Sequence, residues 1–252
     1  MSKHDVKVFS SLEEMSWAAA CAFEDLARRK AIAGQTFSAA LSGGLTPRLL
    51  YQILASRALL GRIEWKSIQL FQVDERCVPP DHPDSNYRMV REALLDAGDV
   101  PAENFHRMRA EQPDLEQAAR DYARELGRIL EPQDGNRPRL DMVFLGLGPD
   151  GHTASLFPGT PALEEQNLWV RPNPVARLGM NRLTMTLPLL NAAAHVIFLV
   201  AGADKAGSLN QVLEGPPGEL PAQRVQPLEG SLSWFVDEAA ARKLSSGVKG
   251  ER

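Results

Sequence analysis

The sequence predicts an α/β fold: a three-layer, doubly wound, mostly parallel sheet with helices on both faces, in a single domain. Three observations carry this. Short apolar or β-branched runs recur along the chain, most of them separated by stretches with helical spacing. Strand–helix–strand order repeated this often calls for right-handed crossovers and strands covered on both faces. The 252 residues, 44% hydrophobic and 24% charged, supply a core large enough to need no disulfide scaffold. Cys21 and Cys77 are in any case too few to build one.

Taken in order, strands are expected at 6–9, 36–41, 67–73, 140–145, 183–187, 196–200 and 232–236. The first helix runs over 12–33, with Ser11 and Glu14 as a capping box and Gly34 as the stop. Further helices are expected at 47–59, 85–97, 115–130, 204–213 and 237–244. Two Pro/Gly-rich stretches, 131–139 and 215–218, read as long loops because the alternation continues across them. One α/β domain over 1–252 follows, with 246–252 a flexible tail.

The 28 basic residues are outnumbered by 32 acidic ones, so there is no cationic surplus for a nucleic-acid backbone. Any bound anion must be held by a local cluster. No apolar export segment opens the sequence, and the most apolar run, 192–203, is too short to span a bilayer and contains His195. A cytoplasmic protein without membrane contact is expected.

Ligands of such sheets sit beyond the carboxyl ends of the strands, and three loops there stand out. The first is Ser42-Gly43-Gly44-Leu45-Thr46-Pro47, with Thr46 expected as helix N-cap and Pro47 as the first helical residue. Its glycines and the helix N-terminus suit a phosphate, though an ordinary strand-to-helix turn has the same composition. The second is Asp74-Glu75-Arg76, leading to Ser85-Asn86-Tyr87-Arg88. Charges at the end of a buried strand either pair and cap a helix or bind something. Cys77 beside Arg76 reads as a bland loop thiol. The third is Gly146-Leu147-Gly148-Pro149-Asp150-Gly151-His152-Thr153. Its G-x-G-x-x-G pattern suggests a dinucleotide site, but the context argues against one. Pro149 interrupts the motif, Pro158 and Pro161 leave no room for the long helix, and Arg171 stands where a ribose-binding acid belongs.

Of the five histidines, His4, His82 and His106 fall in loop or edge regions, and His195 opens an apolar strand. His152 alone has glycine freedom around it and an acid two residues away. An imidazole can serve as general base near neutral pH. Lys205, at a helix start, opposes the helix dipole and is a candidate for facing a ligand. No G-x-S-x-G elbow, H-E-x-x-H or Cys/His metal spacing occurs.

Together and in this order, these loops resemble the glucosamine-6-phosphate isomerase/6-phosphogluconolactonase family, and within it the lactonases. The similarity continues through Arg182-Leu183-Thr184, Gly202 with Lys205, Pro221-Ala222 and Trp234-Phe235 with Asp237-Glu238. It spans essentially the whole chain, and the 146–158 stretch is its most specific part. The related deaminases carry a glutamate five residues after the histidine, where this chain has Phe157. The resemblance implies hydrolysis of 6-phospho-D-glucono-1,5-lactone to 6-phosphogluconate, in the oxidative branch of the pentose phosphate pathway.

On that basis the expected catalytic residues are His152, Asp150 and Arg76. His152 activates water; Asp150 either orients the imidazole or caps the next turn. Arg76 and the N–H groups of 148–151 are the candidates for stabilising the oxyanion. Ser42, Gly43, Gly44, Thr46, Asp74, Arg182 and Lys205 are expected to bind substrate and phosphate. No metal and no cofactor are expected, and the partner is a small phosphosugar lactone, with the protein a monomer or homodimer. A sugar-phosphate isomerase or deaminase of the same fold is the alternative; an NAD-dependent oxidoreductase and a sugar-phosphate sensor are the more distant ones.

Overall fold

The computed structural model describes residues 5–59, 61–130, 138–175 and 179–248. Its elements run β1 (Asp5–Phe9), α1 (Leu12–Ile32), β2 (Phe37–Leu41), α2 (Leu45–Leu54), β3 (Ile68–Gln72), β4 (Asp74–Arg76), α3 (Asn86–Val90), β5 (Phe105–His106) and α4 (Leu115–Leu130). There follow β6 (Met142–Leu145), β7 (Val170–Val175), β8 (Met180–Met185), α5 (Leu187–Leu190), β9 (His195–Val200), α6 (Ala206–Glu214), β10 (Ser231–Asp237) and α7 (Glu238–Ala241).

Seven strands form one parallel sheet in the order β1-β10-β9-β6-β2-β3-β5. From β2 the chain winds outward through β3 to β5, then returns to place β6 on the other side of β2. The winding direction thus reverses between β2 and β6, where such sheets open a crevice. Both strands are buried along their whole length, as central parallel strands must be. Aromatic residues anchor both faces. Phe23 meets Phe37 edge-on at 5.0 Å beneath α1, while Phe198 stacks on Trp234 at 3.9 Å on the opposite side. Each such buried ring contributes about 1.5–3 kcal/mol relative to exposure.

The helix signals play out locally. Ser11 Oγ accepts from Glu14 N at 3.2 Å, but the Glu14 carboxylate turns to Ser10 instead, accepting from its N at 2.7 Å and its Oγ at 2.6 Å. The box is thus shifted by one residue. Gly34, with φ +66°, ends the turn beyond α1. At α4 the Asp114 carboxylate accepts from Gln117 N at 2.9 Å, and the helix occupies the expected 115–130.

Several expectations need correction. Asp74, Glu75 and Arg76 are not a loop but strand β4, and the strand expected at 183–187 lies at Met180–Met185, outside the main sheet. With β7 they form a second, antiparallel sheet in the order β4-β8-β7. Val73 is the pivot. Its N–H donates to Leu41 O at 3.0 Å in the large sheet, and its C=O accepts from Met185 N at 2.8 Å in the small one. Thr46 is not an N-cap: Gly44 takes that place with φ +107°, a conformation open to glycine, and α2 begins one residue earlier than Thr46 and stops at Leu54. The helix expected at 85–97 is the short α3 followed by one π-helical turn, Arg91–Leu95. Ser85 does cap it, accepting from Arg88 N at 3.2 Å. A 3₁₀ turn, Ala203–Lys205, precedes α6, and α7 ends at Ala241. Residues 131–137 of the expected loop and 249–252 of the expected tail lie outside the described residues. Among the described residues, no helix is long and apolar enough to cross a membrane.

Candidate active site

A cavity of about 710 Å³ opens beyond the carboxyl ends of β2, β6 and β9, with β4 and β8 closing one wall. Ser42, Gly43, Gly44, Thr46, Asp74, Arg76, Asp150, His152, Arg182 and Lys205 all line it. The fold therefore brings together all ten residues expected in the site, though not Glu75 or Cys77.

The β2 loop is held from below and from the side. Tyr51 of α2 donates its hydroxyl to Ser42 O at 2.8 Å. A Cβ on Gly43 would stand 1.9 Å from Asn86 Oδ1, so only glycine lets α3 approach this closely. The Ser42 and Thr153 hydroxyls, both buried, have no hydrogen-bond partner among the described residues.

The facing wall carries positive charge. Arg76 Nη1 donates to Asp84 O at 3.0 Å, and Arg182 Nη1 to Asn181 O at 3.1 Å. Burial pulls the Arg182 pKa down, and the charge of Arg76 pulls it further; Asp74 pushes the other way. Lys205 Nζ stands 3.6 Å from Asp204 Oδ2 beside the start of α6.

The two acids of β4 have different tasks. Glu75 points into the start of α3, accepting from Asn86 N at 2.8 Å, Tyr87 N at 2.7 Å and Ser85 Oγ at 3.2 Å. It is a structural cap, answering the orphan donors of a helix N-terminus. Asp74 stays at the cavity. Its Oδ2 accepts from Ser155 Oγ at 2.6 Å and its Oδ1 from Asn86 Nδ2 at 3.2 Å. Burial raises its pKa above the usual carboxylate value, opposed by the Ser155 hydrogen bond and by the charges of Arg76, Arg182 and His152.

Beyond β6 the chain makes a glycine-rich knot in place of a dinucleotide-type helix; the next α-helix after it is α5. Gly151 N donates to Gly148 O at 3.1 Å, and Gly148 N to His152 O at 2.8 Å. Gly151 sits at φ +75° and Ala154 at φ +49°. A Cβ on Gly148 would overlap His152 Nδ1 at 1.9 Å. His152 Nδ1 bonds to Asp150 Oδ1, and the same oxygen accepts from His152 N at 3.3 Å. Asp150 thus both orients the ring and closes the turn. A carboxylate at Nδ1 selects the Nδ1–H tautomer and leaves the Nε2 lone pair free to take a proton. The Phe157 ring packs on the imidazole with centroids 4.2 Å apart.

Cys77 is a free, half-buried thiol. Burial pushes its thiol up to about 11. Asn86 and Ser155 were not singled out from the sequence, although both stand inside the quoted motifs. Their signal was proximity to a cap and to a histidine, which no periodicity reports. Among the described residues, no group of three or more His, Cys, Asp or Glu is placed to hold a metal ion.

The family described as glucosamine-6-phosphate isomerases/6-phosphogluconolactonase matches residues 10–234. The 6-phosphogluconolactonase of Synechocystis sp. is 45% identical over 207 residues, covering 81% of this chain and 83% of its own. That of Homo sapiens is 40% identical over 247 residues, covering 95% and 93%. The solved structure of 6-phosphogluconolactonase from Trypanosoma cruzi superposes with a TM-score of 0.85 at 29% identity, over 97% of this chain and 98% of that one. With the family matched over most of its length, and relatives this similar over nearly all of it, the chain belongs to the glucosamine-6-phosphate isomerase/6-phosphogluconolactonase family.

Proposed function

We propose that the protein hydrolyses 6-phospho-D-glucono-1,5-lactone to 6-phosphogluconate. The observation that carries this is the placement of the Asp150–His152 pair in the same cavity as the glycine loop and the cations Arg76, Arg182 and Lys205. Part of this lining suits a phosphate and part can activate water. The relatives at 36–45% identity bear the lactonase name, which supports the same reading.

The chemistry follows from the geometry. His152 Nε2 takes a proton from a water molecule as its oxygen bonds to C1, and the carbonyl π electrons move onto the exocyclic carbonyl oxygen. Arg76, which lines the cavity, is the candidate for stabilising that oxyanion, because the Gly148 and Gly151 N–H groups are already engaged within the knot. When the carbonyl re-forms, the bond from C1 to the ring oxygen breaks and the imidazolium returns its proton to the departing alkoxide. The acid so formed ionises to the carboxylate in water. No covalent nucleophile or metal enters the scheme. In this reading Ser42, Gly43, Gly44 and Thr46 cradle the phosphate, Arg182 and Lys205 neutralise it, and Asp74 completes the substrate wall. The domain spans the chain and acts in the cytoplasm, as monomer or homodimer, on a small molecule and without nucleic acid.

Phe157 favours this over the deaminase alternative. A deaminase of this fold needs an acid at that position for ring opening, and an aromatic ring packs on the imidazole instead. The deciding experiment times loss of the lactone with and without enzyme, because the lactone also opens unaided. Acceleration well above the spontaneous rate, unaffected by exhaustive chelation, is expected. Release of ammonia from glucosamine 6-phosphate would select the deaminase instead.

A further inference from the structure

Three residues beyond His152, Ser155 is 1% exposed and makes three separate bonds. Its Oγ donates to Asp74 Oδ2 on β4 at 2.6 Å. Its N–H donates to Thr184 Oγ1 on β8 at 3.2 Å, and its C=O accepts from Asn173 Nδ2 on β7 at 2.8 Å. One buried serine is thus bonded to all three strands of the small sheet. The neighbouring Thr153 hydroxyl finds no partner among the described residues, so close packing alone does not produce such bonding here.

We propose that Ser155 is a positioning residue for the reaction: it clamps the loop carrying His152 to the small sheet and fixes the Asp74 carboxylate toward the imidazolium that forms during turnover. The proposal rests on the reading of His152 as general base. Its physical basis is economy of motion. The imidazole belongs to a loop of the large sheet, whereas Asp74, Arg76 and Arg182 belong to the small one, and the two sheets diverge at Val73. Val73 joins the two sheets, and Ser155 adds a tie from the histidine's own loop that limits how far the base and the cationic wall can shift against each other. Displacements of about 1 Å cost up to 10²-fold in rate. The groups acting on Asp74 come from every side: Arg76 on its own strand, Arg182 on β8, His152 on the β6 loop, Tyr51 on α2 and Asn86 on α3. Ser155 is the neutral donor among them that also belongs to the histidine's own loop.

The test uses Ser155→Ala, which removes the hydroxyl and adds no bulk. A drop in kcat of about tenfold is expected, the order of one charge-assisted hydrogen bond, with KM for the lactone changed less than threefold. The carboxyl ¹³C resonance of Asp74, assigned by its absence in Asp74→Asn, should titrate about one pH unit higher in Ser155→Ala. In an Asp74→Asn background the serine replacement should cost little more, because the two act as a unit. An unmoved Asp74 titration, or full additivity of the two losses, overturns the clamp. Absence of lactone turnover in the wild-type protein would instead remove the proposed function, and the resonance would still decide whether Ser155 holds Asp74.

Discussion

Arg76 and Arg182 stand directly opposite each other in the antiparallel β4–β8 ladder, and both line the cavity. Like charges in that relation repel, and Arg182 is only 8% exposed, so water screens the pair poorly. The ladder places two guanidinium groups side by side beside one carboxylate, Asp74, which opposes their repulsion. An anion bound there, as proposed, would relieve the repulsion that Asp74 leaves uncompensated.

Arg182→Gln should therefore raise KM by about tenfold or more while leaving the ligand-free protein no less stable than before. Inorganic phosphate or 6-phosphogluconate should raise the melting temperature of the wild type and not of the variant. Equal shifts in both would take Arg182 out of the anion site.

If the β2 loop and Lys205 hold the phosphate, unphosphorylated gluconolactone should react far more slowly than its 6-phosphate, because remote binding energy orients the reacting carbonyl. Lys205→Ala should raise KM more than it lowers kcat. Steady-state kinetics on both lactones checks this, and equal efficiency on the two removes the phosphate from the mechanism.

His152→Gln should lower kcat by about 10²–10⁴-fold, the usual contribution of a general base, with 6-phosphogluconate binding nearly intact by calorimetry. Asp150→Asn should be milder, since it perturbs the tautomer without removing the base. A folded His152→Gln protein turning over at the wild-type rate ends the proposal.

Asp74 gives a pH prediction of definite sign. Burial raises its pKa in the folded state above that of the unfolded chain, so folding favours the protonated form. The stability this contributes is present in acid and is lost as pH climbs through the raised value. Asp74→Asn stays neutral throughout. It should melt on the order of a few degrees above wild type at pH 7, with the gap closing toward acid pH, while kcat falls. A variant less stable than wild type at pH 7 contradicts this.

Much of this was readable in advance, for identifiable reasons. Helix α4 carries its own cap and an uninterrupted period, and β9 and β10 are apolar runs buried in a parallel sheet. The placement of Asp150 and His152 is set by hydrogen bonds within residues 148–152. Strand β4 was not readable, because three charged residues have no hydrophobic alternation and their partners on β8 lie about a hundred positions away. Thr46 was misplaced because the Gly44 backbone, at φ +107°, starts the helix without a side-chain cap. Ser155 was missed because its three bonds all reach across the fold.

That last contrast separates the cavity into parts of different origin. The Asp150–His152 pairing closes over two residues, and its loop needs almost no chain entropy to form. The proposed anion wall draws on residues 42, 76, 182 and 205, which meet only when both sheets are in place. Contacts of such long sequence separation are the late and costly ones in folding. As denaturant loosens the molecule, the grip on the phosphate should fail while the imidazole still has its acid beside it, so affinity is the first property to fade and acid–base competence the last.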